Sequence, residues 1–233
     1  MVNLSYSTLY QIIQNMYLKL QSLILFIAVS LLLSGFTPEP DRIGRLIQSD
    51  PENTWDLKKE ANGIQIYTRD YPDSPVKEFL AITTTNSSLQ SVTSVLDDIS
   101  AYPKWFRNCK YVKTIRRASD SAIANYVEIS FPWPLSNRDG IWEATIRIRN
   151  ESVYYSEIRS IPDLVPEKKN IVRMHNACGY WKVEKMKNGK TKITQQFFAD
   201  PEGNIPGWVV NLFLVDGPYD TFMNLHKILN DED

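Results

Sequence analysis

Between Trp55 and Ala199 the apolar positions fall mostly on every second residue, and in two stretches, after Ser88 and after Pro206, on every third or fourth. A period of two belongs to a strand with one buried face, and a period near 3.6 to an amphipathic helix. The alternation predicts strands over 55–59 and 64–69, joined through Ala61-Asn62-Gly63, where Asn and Gly tolerate the positive φ of a tight hairpin. Residues 76–85 read as a third strand, rich in β-branched side chains. Ser88 then opens a helix whose Leu89, Val92, Val95, Leu96 and Ile99 share a face. Beyond an elbow at Tyr102-Pro103-Lys104-Trp105-Phe106, strand-like runs recur at 110–117, 122–131, 140–149, 153–160, 171–186 and 190–199. Pro206 starts a terminal helix at the position where its missing N–H costs nothing, reaching about Leu229 with Val209, Leu212, Phe213, Phe222 and Leu225 apolar. Within that helix Pro218, after Gly217, removes a hydrogen bond and clashes with the preceding turn, so a kink or break is expected there.

These elements make an α+β fold: one long antiparallel sheet, two short helices after its third strand, and one long terminal helix. A sheet of this length curls, and curling it around a single amphipathic helix leaves an enclosed volume between the two. Alternation puts Trp142, Ala144, Ile146 and Ile148 on one face of a strand, and Val127, Ile129 and Phe131 on one face of its neighbour. If the sheet curls around a void, these residues line it. Glu128, Arg173 and Gln196 interrupt such faces as potential headgroup ligands, with most of them expected to face solvent.

Ahead of this body, the apolar run from Leu23 to Leu33 follows Lys19, and no acidic residue precedes Glu39, the profile of a signal peptide. The run is shorter than the roughly 17 to 25 residues that cross a bilayer. Residues 1–36 are therefore read as a signal peptide or membrane anchor, residues 37–54 as a linker and short helix carrying Ile43, Leu46 and Ile47, and residues 55–230 as the folded body. The protein is expected to be exported, to a periplasm or the extracellular space, or held at a membrane by that segment.

Composition then narrows the chemistry. The 233 residues are 43% hydrophobic and 23% charged, the profile of an ordinary globular protein. With 26 Lys plus Arg against 27 Asp plus Glu there is no electrostatic footprint for nucleic acid. The cluster Lys110, Lys113, Arg116, Arg117 is read as a solvated strand face before it is read as a lipid-headgroup contact. The two cysteines, Cys109 and Cys178, form no CxxC or Cys/His motif, and His175 and His226 lack metal-ligand spacing. No GxSxG, HExxH or carboxylate dyad is present, and the adjacent Arg138 and Asp139 point to opposite faces, so their expected role is to fix a loop.

Five features in order make the sequence resemble the START domain, a lipid-transfer family with a helix-grip fold. They are Trp55 with Asn62-Gly63-Ile64-Gln65-Ile66-Tyr67, Trp105 after the inserted helix, Phe131-Pro132-Trp133-Pro134-Leu135-Ser136-Asn137-Arg138-Asp139, Gly179-Tyr180-Trp181, and Asp200-Pro201-Glu202-Gly203-Asn204-Ile205-Pro206. The resemblance spans about Trp55 to Leu229. It implies a long curved antiparallel sheet wrapped around the C-terminal helix, with a hydrophobic tunnel closed by that helix and by the loop carrying Pro134 and Ser136. It also implies that the tunnel holds or carries a lipid. One departure bears on the ligand: where sterol-binding members carry a cavity arginine, counting from Arg138-Asp139 gives Ala144, which argues against a sterol without favouring another lipid.

The ligand-contacting residues expected on this reading are Trp105, Trp142, Ile146, Phe198, Trp208, Phe213 and Met223, with Trp133 and Leu135 on the gating and membrane-facing loop. For Trp208, Phe213 and Met223 ordinary helix packing is part of the role. Trp133, between two prolines, either inserts into a membrane interface or folds back onto the tunnel mouth. The expected function is binding, and with it transfer, of a lipid or other hydrophobic small molecule by a monomer that meets a membrane surface, without cofactor, metal or catalytic step. An enzyme of the helix-grip type acting on an apolar substrate and an envelope-anchored structural protein are the competing readings, because fold alone does not decide function.

Overall fold

The structure, a computed structural model, describes residues 55–231. The proposed signal or anchor segment and the 37–54 linker lie outside the described residues.

Among the described residues ten strands and four α-helices follow one another, with two 3-10 turns and one π-helical turn between them. Strands β1 (Asp56–Ala61) and β2 (Ile64–Asp70) form the first hairpin. Its turn residues Asn62 and Gly63 both have positive φ, 54° and 71°, the geometry that makes a two-residue hairpin match the sheet twist. Strand β3 (Lys77–Thr85) leads to helix α1 (Leu89–Asp97), whose first turn is capped by Ser88 Oγ accepting from Ser91 N at 3.0 Å. A single 3-10 turn (Ile99–Ala101) and the short helix α2 (Tyr102–Trp105) follow. Strands β4 (Cys109–Ser119), β5 (Ala122–Ile129), β6 (Arg138–Arg149) and β7 (Val153–Ser160) run as a meander. The chain then passes through β8 (Val172–Arg173), β9 (Ala177–Lys185) and β10 (Thr191–Ala199). It ends in helix α3 (Gly207–Asn211), a π-helical turn (Leu212–Asp216) and helix α4 (Gly217–Asp231).

The strand order is β1-β2-β3-β10-β9-β7-β6-β5-β4, every neighbouring pair on this path antiparallel. Register shifts at Leu57/Lys59, three times along β4–β5, and at Ile146/Ile148 insert extra residues that bend the strands. Gly179 adds to the curl by letting backbones approach: a Cβ there would stand 2.2 Å from the carbonyl oxygen of Gln196.

Two sequence expectations are corrected. The run 171–186 is not one strand. It divides at Met174–Asn176, because Val172 and Arg173 pair in parallel with Arg138 and Asp139 of β6, while Ala177 onward lies between β7 and β10. Arg173 holds this detour in place with two hydrogen bonds to the Asp139 carboxylate, at 2.6 and 3.3 Å, both side chains fully buried. The terminal helix also does not break at Gly217-Pro218. It widens instead: Gly217 N–H donates to Leu212 O, five residues back, so the turn before Pro218 is π-helical and gives the proline ring room inside a continuing helix.

The main core lies between the concave face of the sheet and the helices. Val92 and Leu96 of α1, Trp105 of α2, and Phe222, Leu225 and Leu229 of α4 pack against Ile64, Ile66, Trp181, Val183 and Ile193. A second cluster forms around Cys109, Val127, Ile129 and Met174, with Phe131, Trp142 and Phe213 against it.

Candidate functional site

Inside the curl of the sheet the packing leaves three cavities that share walls, the first against the terminal helix and the other two against the segment from the end of α1 through α2. The first, about 120 Å³, lies under α3 and the π turn and is lined among others by Phe131 beyond the end of β5, Phe197 of β10, Val209 of α3 and Phe213 of the π turn. The second, about 60 Å³, shares Phe106, Trp142, Gln195 and Phe197 with the first. The third, about 230 Å³, shares Tyr102, Asn125, Ala144, Ile158 and Trp181 with the second. Together they trace a path along the concave face. It runs from the β5–β6 and β10–α3 loops at one end to the β4–β5 hairpin at the other.

The walls change character along that path. The first two cavities are almost wholly apolar, with Phe131 and Phe213 stacked at 4.2 Å and Trp142 edge-on to Phe197 at 5.2 Å. The third is mixed: Arg149 pairs with Asp97 at 2.6 Å, and Tyr154 donates to the same carboxylate at 3.2 Å. Burial, with Asp97 beside it, pushes the Tyr154 phenol up to about 12, so it stays a donor at neutral pH. Burial likewise raises the Cys109 thiol to about 11, which keeps it protonated and unreactive.

The mouth at the first cavity is tied together by one side chain. Arg138, 4% exposed, donates to Ser136 O at 2.6 Å in the β5–β6 loop, and to Pro201 O and Glu202 O at 2.9 and 3.2 Å in the β10–α3 loop. Its guanidinium also stacks on Phe131 at 4.4 Å. Asp200 fixes the second loop by accepting from Glu202 N at 2.9 Å, as a short carboxylate does in a turn. In the β5–β6 loop Trp133 is 91% exposed, so it does not fold back onto the mouth, while Leu135 is half-buried.

The other expected site residues divide. Trp142, Ile146 and Phe213 line the cavities. Trp105 does not: it is enclosed by Tyr102, Phe106 and Trp181 and belongs to the core. Met223 packs on the same core and touches none of the three cavities. Phe198 is on the wrong face. Alternation along β10 turns Gln195, Phe197 and Ala199 toward the cavities, and Phe198 stacks at 3.7 Å on Tyr71 behind the sheet. The side chain of Trp208 lies outside what the structure describes.

Glu128, Arg173 and Gln196 do not face solvent as expected. All three are buried and held by protein partners: Glu128 by Lys110 and Asn137, Arg173 by Asp139, and Gln196 by Glu78. Two of the cavity-facing polar groups that sequence reasoning missed are Asn125 and Gln195. Each occupies an inward position of a strand whose alternation was visible, and the polar residue at that position was the available signal. Among the described residues no group of three or more His, Cys, Asp or Glu could hold a metal ion.

Comparison with known proteins agrees with this geometry. The family model described as START domain matches residues 47–231. An uncharacterized protein of Pseudomonas aeruginosa is 27% identical over 173 residues, covering 74% of this chain and 85% of that protein. The phosphatidylcholine transfer protein of Rattus norvegicus is 27% identical over 164 residues, covering 67% of this chain and 75% of that one. Among solved structures, a STAR-related lipid transfer protein fragment from Xanthomonas axonopodis superposes with a TM-score of 0.69 at 30% identity, covering 76% of this chain and 99% of that one. Human StAR-related lipid transfer protein 5 superposes with a TM-score of 0.71 at 19% identity, covering 82% and 93%, a likeness of fold.

Proposed function

The chain belongs to the START domain family, and we propose that it binds a lipid inside the path of cavities that begins beneath its terminal helix and passes that lipid between membranes. The observation that carries this reading is the run of apolar walls, uninterrupted by any charged side chain in the second cavity, that leads inward from a mouth built of two loops and a helix. Burying an alkyl chain there is favourable by about 25 cal/mol per Å² of apolar surface removed from water. The relatives named for lipid transfer support the same reading, and support a carrier over a catalyst.

Exchange requires the mouth to open, and the parts that surround it suggest how. The π turn separates α3, which covers the first cavity, from α4, which is anchored in the core through Phe222, Leu225 and Leu229. Swinging α3 about the π turn, with release of the Arg138 contacts, would uncover the first cavity while leaving the core intact. Trp133 stands out from the adjoining loop, where an indole can enter the interface of the membrane that supplies the lipid.

Incubating the full chain with phosphatidylcholine vesicles, separating it and analysing what it retains tests the reading. Retention of one lipid per chain is the predicted outcome, and a chain that emerges lipid-free from vesicles of every headgroup class would refute it. Substituting Trp133 tests the membrane step separately: Trp133→Ala should slow extraction several-fold while leaving thermal stability within about 0.5 kcal/mol, because the ring touches little protein.

A further inference from the structure

The four basic residues of β4 that stand close together in the sequence part company in the fold. Arg117 lines the third cavity, and Arg116 pairs with Glu143 at 3.0 Å. Lys110 and Lys113 instead meet a lysine from far along the chain on the outer face of the sheet. Asn125 and Val127 of β5 line the second cavity, so Tyr126 and Glu128 between and beyond them face outward. Lys113 stands opposite Tyr126 in the strand register. Lys168, from the segment between β7 and β8, places its Nζ 3.9 Å from the centre of the Tyr126 ring and 5.8 Å from that of Tyr111. Lys110 donates to Glu128 at 2.9 Å. Three ammonium groups thus gather around one carboxylate, and Lys113 and Lys168, both exposed, have no carboxylate partner among the described residues. Glu167, next to Lys168 in the chain, lies instead 3.3 Å from the His175 ring.

This cationic surface is fixed to the mouth. Glu128 Oε1 also accepts from Asn137 Nδ2 at 2.9 Å, and Asn137 Oδ1 accepts from Phe131 N at 3.2 Å, within the loop that carries Trp133. Val172 N donates to Asn137 O at 3.0 Å, which holds the Lys168 segment against the same loop. Three large hydrophobic side chains are exposed among the described residues, Leu57, Tyr111 and Trp133, and the last two belong to this region. Lysines bordered by an exposed phenol and an exposed indole match the headgroup layer of an anionic bilayer, where ammonium groups meet phosphate and carboxylate and the rings enter the interface. We propose that the surface formed by Lys110, Lys113 and Lys168 docks the protein on membranes that carry anionic lipid, and so sets the mouth against the bilayer with which it exchanges lipid. The inference rests on the lipid-carrying reading and deepens it by naming the membrane partner and the residues that meet it. The net charge of −1 does not oppose it, because screening confines the attraction to about 10 Å at 0.1 M salt and only the local surplus is felt.

Sedimentation of the full chain with vesicles tests the docking apart from the cargo. Its partition onto vesicles of phosphatidylcholine mixed with phosphatidylserine should exceed that onto phosphatidylcholine alone by roughly tenfold or more, and the excess should shrink as salt is added. Each lysine near an anionic surface contributes about fivefold, so Lys113→Gln combined with Lys168→Gln should bring the two partitions close to equality. Lys187→Gln combined with Lys190→Gln, exposed at the β9–β10 turn at the other end of the sheet, should keep the excess. All these chains share the apolar run from Leu23 to Leu33, so its own affinity for vesicles cancels in each comparison. Should removal of Lys168 from above Tyr126 prevent folding, Lys113→Glu alone, on the exposed edge strand, gives the same comparison. Equal partition onto both vesicles, an excess that survives loss of Lys113 and Lys168, or an excess lost equally with Lys187 and Lys190 overturns the inference and leaves lipid carriage standing. A chain that docks on anionic vesicles through these lysines yet retains no lipid of any headgroup class overturns the carrier reading, and with it the purpose assigned to the docking.

Discussion

Single residues set the tolerances of this fold, and glycine shows it most directly. Gly179 is flanked by β7 and β10, and the atoms a Cβ would meet include backbone atoms of Gln196 and Phe197, which cannot rotate away. Gly179→Ala should therefore cost about 3 kcal/mol in denaturant unfolding, well above an ordinary surface change. Trp105 makes the opposite point. Its expected contact with ligand is replaced by full enclosure among aromatic rings, so Trp105→Ala should cost about 3–5 kcal/mol, read as a drop in the unfolding midpoint. His226 gives the pH dependence. It is partly buried beside Thr83, at 3.0 Å from its hydroxyl, and burial lowers its pKa below the model-peptide value of 6.5. Because the unfolded chain binds that proton more readily, stability should be level above pH 6.5 and fall as the pH drops through and below it. His226→Gln should flatten that part of the profile. Retention of the full slope by the variant would exclude His226 as its source.

At the scale of elements, the strands and helices were legible because their periods differ cleanly, two along the sheet and near 3.6 in α1 and the terminal helix. What periodicity could not supply was pairing. The split at Met174–Asn176 depends on a buried Arg173–Asp139 contact between residues far apart in sequence, and an apolar run gives no sign of it. The wrong face chosen for Phe198 has a similar origin: Phe197 and Phe198 are both aromatic, and only the register against β9 and β3 decides which one turns inward. Proline at 218 was a correct signal of a disturbed helix, but the disturbance took the form that keeps the helix continuous. Pro218→Ala restores an N–H and removes the ring, so the π turn should revert to a regular α-helical ladder. Lipid exchange in a vesicle-to-vesicle assay should then slow while affinity changes little. Arg138→Met acts on the facing loops, leaving three carbonyls without their donor, and should accelerate exchange while costing about 1–3 kcal/mol.

For the molecule as a whole, the sheet curled around its helix was foreseeable from the number of strands, and an enclosed volume follows from that curvature. Less of the site was legible, because a cavity wall and a core look alike in sequence. Trp105, Met223, Trp142 and Phe213 are all large apolar residues facing inward, and only three-dimensional packing separates the pair that fills space from the pair that borders it. Ala144 marks the point where that distinction becomes a test. It is small, and it lines both the second and the third cavities. Replacing it with phenylalanine should close the path without touching the buried core of α4. The decisive measurement is the lipid retained by the full chain after exposure to vesicles, compared between the natural protein and Ala144→Phe at matched thermal stability. One lipid per chain in the first and less than a tenth of that in the second is the predicted result. Equal retention by both would place the lipid outside the cavities and contradict the account.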